Sequence, residues 1–132
     1  MPGIFTKLNL KDQREVLVLN APQSFEAALA TLQGVRILRR VPRTAPVVFA
    51  LAFVTRQAEV DALTRTLARR APGDALLWFA YPKGTSKRYR CEFNRDTGWD
   101  KLRRAGFDSV RQVAIDADWT ALRFRRVAFI GR

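Results

Sequence analysis

The stretch PKGTSKRYR, residues 82–90, holds the densest set of groups in this chain that could do chemistry. Lys83 and Lys87 bring charge, Thr85 and Ser86 bring hydroxyl donors, and Gly84 lets the backbone turn or approach a ligand closely. Ammonium and hydroxyl groups at this spacing can converge on oxygens that only accept hydrogen bonds, so the chemistry implied is the binding of a phosphate-like anion. A helical pattern starts near Arg95, with Asn94 as its expected N-cap, and the free N–H groups of a helix start favour negative charge. The candidate ligand-binding residues are therefore Lys83, Gly84, Thr85, Ser86, Lys87 and Arg95. GTSK is not a P-loop: the spaced first glycine is missing, and the lysine follows the serine instead of preceding it.

The chain has no histidine and a single cysteine, Cys91. This excludes Ser-His-Asp and Cys-His catalysis, His-ligated metals, and zinc or iron–sulfur clusters built from one chain. No catalytic residue, metal site or cofactor is assigned. Arg95 and Asp96 read as an ion pair at the helix start, or as groups orienting a ligand. Trp78, Trp99 and Trp119 read as core residues, with base stacking as the alternative. Asp116 and Asp118, in the turn DADW, read as turn formers rather than magnesium ligands. Cys91 is expected to be a small apolar residue, although Arg88, Arg90 and Arg95 nearby would lower its pKa.

The formal net charge is +12, from 24 basic and 12 acidic residues. It suits a phosphate-containing ligand, a nucleotide or a nucleic acid. The 19 arginines against 5 lysines suit a GC-rich coding sequence equally well. The apolar run at residues 45–54 is too short to span a bilayer, and the first ten residues lack the pattern of a signal peptide. A cytoplasmic protein without membrane association is expected, and the sequence is compatible with self-association.

The elements that must position these groups read as one α/β domain over residues 1–132. Strand patterns lie at residues 14–20, 35–41, 46–54, 75–81, 109–116 and 119–129. The third and fourth are apolar on both faces, as in the centre of a parallel sheet. Helix patterns follow Ser24, Thr55 and Asn94, and the first and third close at Gly34 and Gly106. Gly98 falls inside the third. ALRFRRV places Leu122 and Phe124 on one face and Arg123 and Arg125 on the other, the pattern of an edge strand. The whole implies a three-layer α/β sandwich, with a mixed, mostly parallel sheet of about six strands and a C-terminal antiparallel hairpin.

That element order, over residues 14–129, resembles the S-adenosylmethionine-dependent methyltransferase version of the Rossmann fold, with one βα unit fewer. The resemblance implies an acidic, glycine-rich turn after the first strand and an acid after the second to hold ribose hydroxyls. Here the turn is LNAPQSF and the second strand ends in Arg39 and Arg40, so both features depart from the pattern. Fold likeness alone does not carry activity.

YPKGTSK, RDTGW and VAIDADWTALRFR together resemble an uncharacterised family of small bacterial proteins, a domain of unknown function, from about Trp78 to Arg126. Thr85 and Thr120 stand where that pattern has serine. The resemblance implies a bacterial origin and supplies no catalytic residue. Three readings stand: a non-enzymatic protein binding an anion at the loop after the fourth strand, a divergent methyltransferase or other phosphate-ligand enzyme, and a protein–protein interaction module.

Overall fold

The computed structural model of the chain describes residues 3–131. Six strands form one sheet: β1 (Glu15–Leu19), β2 (Arg36–Leu38), β3 (Phe49–Phe53), β4 (Leu76–Pro82), β5 (Phe107–Ala114) and β6 (Trp119–Arg126). Their order is β2-β1-β3-β4-β6-β5. The first four run parallel, and β6 enters antiparallel between β4 and β5. This is the expected mixed sheet with a C-terminal hairpin, in methyltransferase-like Rossmann topology. The direction of winding reverses at β1, which leaves a crevice beyond the carboxyl ends of β1 and β3.

The period of two in each strand divides the core. Leu77, Phe79 and Tyr81 of β4 face α3 (Gln57–Arg70) and α4 (Asp100–Arg104), packing with Val60, Leu67, Trp99 and Leu102. Leu76, Trp78 and Ala80 face the other way, toward α1 (Ile4–Lys7) and α2 (Glu26–Leu29), packing with Phe5, Leu8, Phe25 and Leu29. All three tryptophans are core residues. The Trp78 indole donates to the Leu8 carbonyl at 3.0 Å, which ties the N-terminal turn to the central strand.

Two local expectations change. The helix after Ser24 is a 3-10 turn, Gln23–Phe25, followed by the single α-turn of α2. Thr31 Oγ1 donates to the Ala28 carbonyl at 2.6 Å, a local side-chain bond that competes with helix continuation. β6 is not an edge strand, because it pairs on both sides. Alternation requires one solvated face, not an open edge. Arg125 meets that requirement through a bidentate pair with Asp74 at 2.8 and 2.7 Å. The edge on this side of the sheet is β5, where a register shift between Ser109 and Arg111 interrupts regular pairing.

Candidate anion-binding cleft

The loop leaving β4 is folded against the β5–β6 hairpin. The Lys83 N–H donates to the Asp118 carbonyl at 2.7 Å, and the Ser86 N–H closes a turn on the Lys83 carbonyl at 3.0 Å. Ser86 Oγ donates to Asp118 Oδ1 at 2.8 Å and accepts from the N–H groups of Arg88 and Tyr89 at 3.3 and 3.2 Å. The Ser86 hydroxyl proton is thus committed to holding the loop. Asp116 plays the turn role expected of it, accepting from the N–H groups of Asp118 and Trp119 at 2.8 Å. No group of three potential metal-ligating side chains occurs among the described residues.

The segment before α4 departs from the helix expected at Arg95. Asn94 Oδ1 accepts from the N–H groups of Asp96 and Thr97 at 2.8 and 3.1 Å, forming a turn and not a helix cap. The Trp99 indole N–H is shared by the carbonyls of Asn94 and Arg95 at 2.9 and 3.1 Å, and the Thr97 N–H also reaches the Asn94 carbonyl at 3.4 Å, the pattern of a turn and not of a helical ladder. Gly98 has φ +95° and lies outside the helix, which begins at Asp100. A five-residue helix with Asp100 in its first turn offers no anion site at its start. Arg95 and Asp96 form no ion pair with each other among the described residues.

The longer helix α3 is also satisfied internally. Glu59 Oε1 accepts from the N–H groups of Thr55 and Arg56 at 2.9 and 3.0 Å, and Glu92 Oε1 accepts from Gln57 at 2.8 Å. The cap residue is Arg56, not Thr55, whose hydroxyl contacts Glu59. Gln57 Nε2 donates to the Gly98 carbonyl at 2.7 Å, which docks the segment preceding α4 on the start of α3.

Between this segment and the β4 loop lies a cleft of about 940 Å³. Lys83, Gly84, Thr85, Ser86 and Arg95 all line it, so the structure brings together five of the six candidate residues. Lys87 is exposed and does not line the cleft. Sequence reasoning did not place Tyr81, Arg90, Gln112 and Thr120 in the site, yet they line it too. Register explains two of these: Tyr81 is paired with Thr120, and Thr120 with Ala114 two residues past Gln112, so the strand ends form the inner wall. Gln112 Nε2 donates to the Tyr81 hydroxyl at 3.3 Å and to Thr120 Oγ1 at 3.2 Å.

Burial pushes the Tyr81 phenol up, with the charge of Arg95 opposing. Burial likewise pushes the Cys91 thiol up, reinforced by the charges of Glu92 and Glu59 and opposed by a backbone hydrogen bond at Phe93. This accords with the reading of Cys91 as a small apolar residue and runs against the alternative of a thiol activated by neighbouring arginines. Cys91 lines the cleft, and burial disfavours its thiolate form.

The crevice at the winding reversal is built differently. Asn20 takes the left-handed conformation, φ +58°, so the turn is made without glycine. The Phe25 ring is buried and packs 5.0 Å from Phe53, the last residue of β3, and 5.8 Å from Phe5. Beyond β2, Arg39 makes a bidentate pair with Glu26 of α2 at 2.9 and 2.8 Å, joining the two elements that flank the crevice. The bond to Arg39 holds the Glu26 carboxyl below its ordinary range.

No protein-family model matches the chain, and no curated protein does. Solved structures match the fold. A SAM-dependent methyltransferase from Aquifex aeolicus superimposes with a TM-score of 0.65 at 16% identity, covering 94% of this chain and 88% of that one. The glycopeptide N-methyltransferase MtfA gives 0.59 at 11% identity over 93% and 92% of the two chains. A ribosomal protein L11 methylase from Lactobacillus delbrueckii subsp. bulgaricus gives 0.58 at 10%, over 92% and 75%. At these identities the likeness is one of fold. The residues at the crevice depart from those that would hold S-adenosylmethionine: the turn after β1 has no glycine, and Arg39, tied to Glu26, stands where a ribose-binding acid would.

Proposed function

We propose that this chain is an anion-binding protein on a methyltransferase-like fold, and that a phosphate-bearing small molecule occupies the cleft between the β4 loop and residues 90–95. One observation carries this. Lys83, Arg90 and Arg95 line the cleft, no carboxylate lines it, and none of the three cations is in an ion pair among the described residues. Unpaired cations around a concavity raise the local concentration of anions, and a ligand with acceptor oxygens completes their hydrogen bonding.

The test is thermal unfolding with added pyrophosphate. A ligand at one hundred times its Kd adds about 2.7 kcal/mol to stability, which is a readable rise in Tm. Lys83→Ala combined with Arg95→Ala should remove the rise, while Lys87→Ala, outside the cleft, should keep it. Equal loss in both variants would mean diffuse surface charge. A nucleic-acid partner would draw on Lys87 and Arg88 as well, and its affinity would fall steeply with salt.

The fold likeness favours a second reading, a divergent methyltransferase. That reading requires saturable binding of S-adenosylmethionine, which the crevice residues oppose.

A further inference from the structure

The cleft has two chemically different ends. The cations sit on the loops, whereas the inner wall is formed by Tyr81 and Thr120 of the sheet, 4% and 6% exposed, with Phe93 of the facing loop, 7% exposed. At that wall nearly every polar group is committed. Gln112 Nε2 serves both the Tyr81 and Thr120 hydroxyls, and Thr120 Oγ1 in turn donates to the Val113 carbonyl at 3.3 Å. Among the hydroxyl donors of this wall the exception is the Tyr81 O–H. Its oxygen accepts from Gln112, but no group among the described residues accepts its proton. A buried donor without an acceptor is costly, and its position on a cleft points to a ligand atom as the acceptor.

Beside these polar groups the wall is aromatic, with the Phe93 ring 5.9 Å from the Tyr81 ring. An anion alone would use the loop cations and leave this end unfilled. A ligand that uses both ends carries a phosphate and a flat, largely apolar body bearing a carbonyl or ring nitrogen. We infer that the ligand is a nucleoside monophosphate, with its phosphate on the loop cations and an acceptor of its base on the Tyr81 hydroxyl. This rests on the anion-site reading above and adds the identity of the other end. The cleft, at about 940 Å³, is in the range of small-molecule sites and holds a ligand of this size.

Calorimetric titration of AMP, GMP, CMP and UMP against ribose 5-phosphate separates the two parts. At least one nucleotide should bind about tenfold or more tighter than ribose 5-phosphate, a difference of about 1.4 kcal/mol. Tyr81→Phe should remove most of that gain and leave ribose 5-phosphate binding unchanged. If ribose 5-phosphate binds and no nucleotide binds tighter, the base inference is overturned and the anion site stands. If neither sugar phosphate nor pyrophosphate binds, both fall. A nucleotide preference that survives intact in Tyr81→Phe overturns the role of Tyr81. Should Tyr81→Phe fail to fold, the wild type still decides: nucleotide, but not ribose 5-phosphate, should shift the Tyr81 ring resonances, and their absence overturns the inference.

Discussion

A methyl group on Gly98 would sit 2.6 Å from Phe93 Cβ and 2.8 Å from Gln57 Oε1, at a backbone φ of +95°. Phe93 lines the cleft and Gln57 anchors the segment to α3, so this one position sets how closely the cleft wall approaches the helix. Gly98→Ala should therefore cost about 2–3 kcal/mol, combining a disfavoured conformation with overpacking. Denaturant unfolding reads this directly. A loss within a few tenths of a kcal/mol would show that Phe93 can withdraw freely. Tyr81 makes a prediction in pH. Its folded phenol is pushed above the ordinary value of about 10. Between the unfolded and folded values the native state holds more protons, so stability falls as pH rises through that window. The wild type should therefore lose stability at alkaline pH more steeply than Tyr81→Phe, measured by denaturation midpoints across that range.

At the scale of elements, Arg126 joins three of them. Its Nη2 donates to the carbonyls of Ala68 and Ala71 at 3.1 and 2.8 Å, its Nε donates to Gly73 at 3.1 Å, and its guanidinium lies 4.6 Å from the Phe107 ring centre. The last carbonyls of α3 are thus capped from the end of β6, against the start of β5. Arg126→Ala should destabilise by about 2–3 kcal/mol, since charged hydrogen bonds and a cation–π contact are lost together. Arg126→Lys should recover little of it, because an ammonium lacks the planar fork. Equal stability of the lysine variant in thermal melts would refute that account. What was legible in the chain followed the same scale. The apolar runs of β3 and β4, the DADW turn and the stop at Gly106 are set by local pattern, and they read correctly. Misread were features that other parts of the chain impose. The Trp99 indole folds back onto the carbonyls of Asn94 and Arg95 where a helix is expected from local pattern, and an interior β6 looks like an edge because its arginines alternate with apolar residues. Five of the six anticipated site residues meet because one continuous loop and one turn carry them. Tyr81 and Gln112 meet through cross-sheet register, which no local spacing displays.

For the molecule as a whole, the fold is methyltransferase-like, while the turn after β1 lacks glycine and the end of β2 carries Arg39 paired with Glu26 instead of a free acid. Calorimetry at millimolar S-adenosylmethionine should give no saturable heat, at a concentration where even a site of about −4 kcal/mol would register. One-to-one binding would revive the enzyme reading. The insertion of β6 between β4 and β5 bears on how the chain is made. A ribosome releases the chain from its N-terminus, so β4, buried along all of Leu76–Pro82, emerges with one edge open. β5 emerges next and has no partner at all, because its only neighbour in the sheet is β6. Two strands must wait for a third, and the order of synthesis is not the order of pairing. An open apolar strand edge is a template for intermolecular pairing. A chain halted before Trp119 should therefore be recovered as aggregate, and a nascent chain should stay dependent on holding chaperones until residue 126 has cleared the exit tunnel.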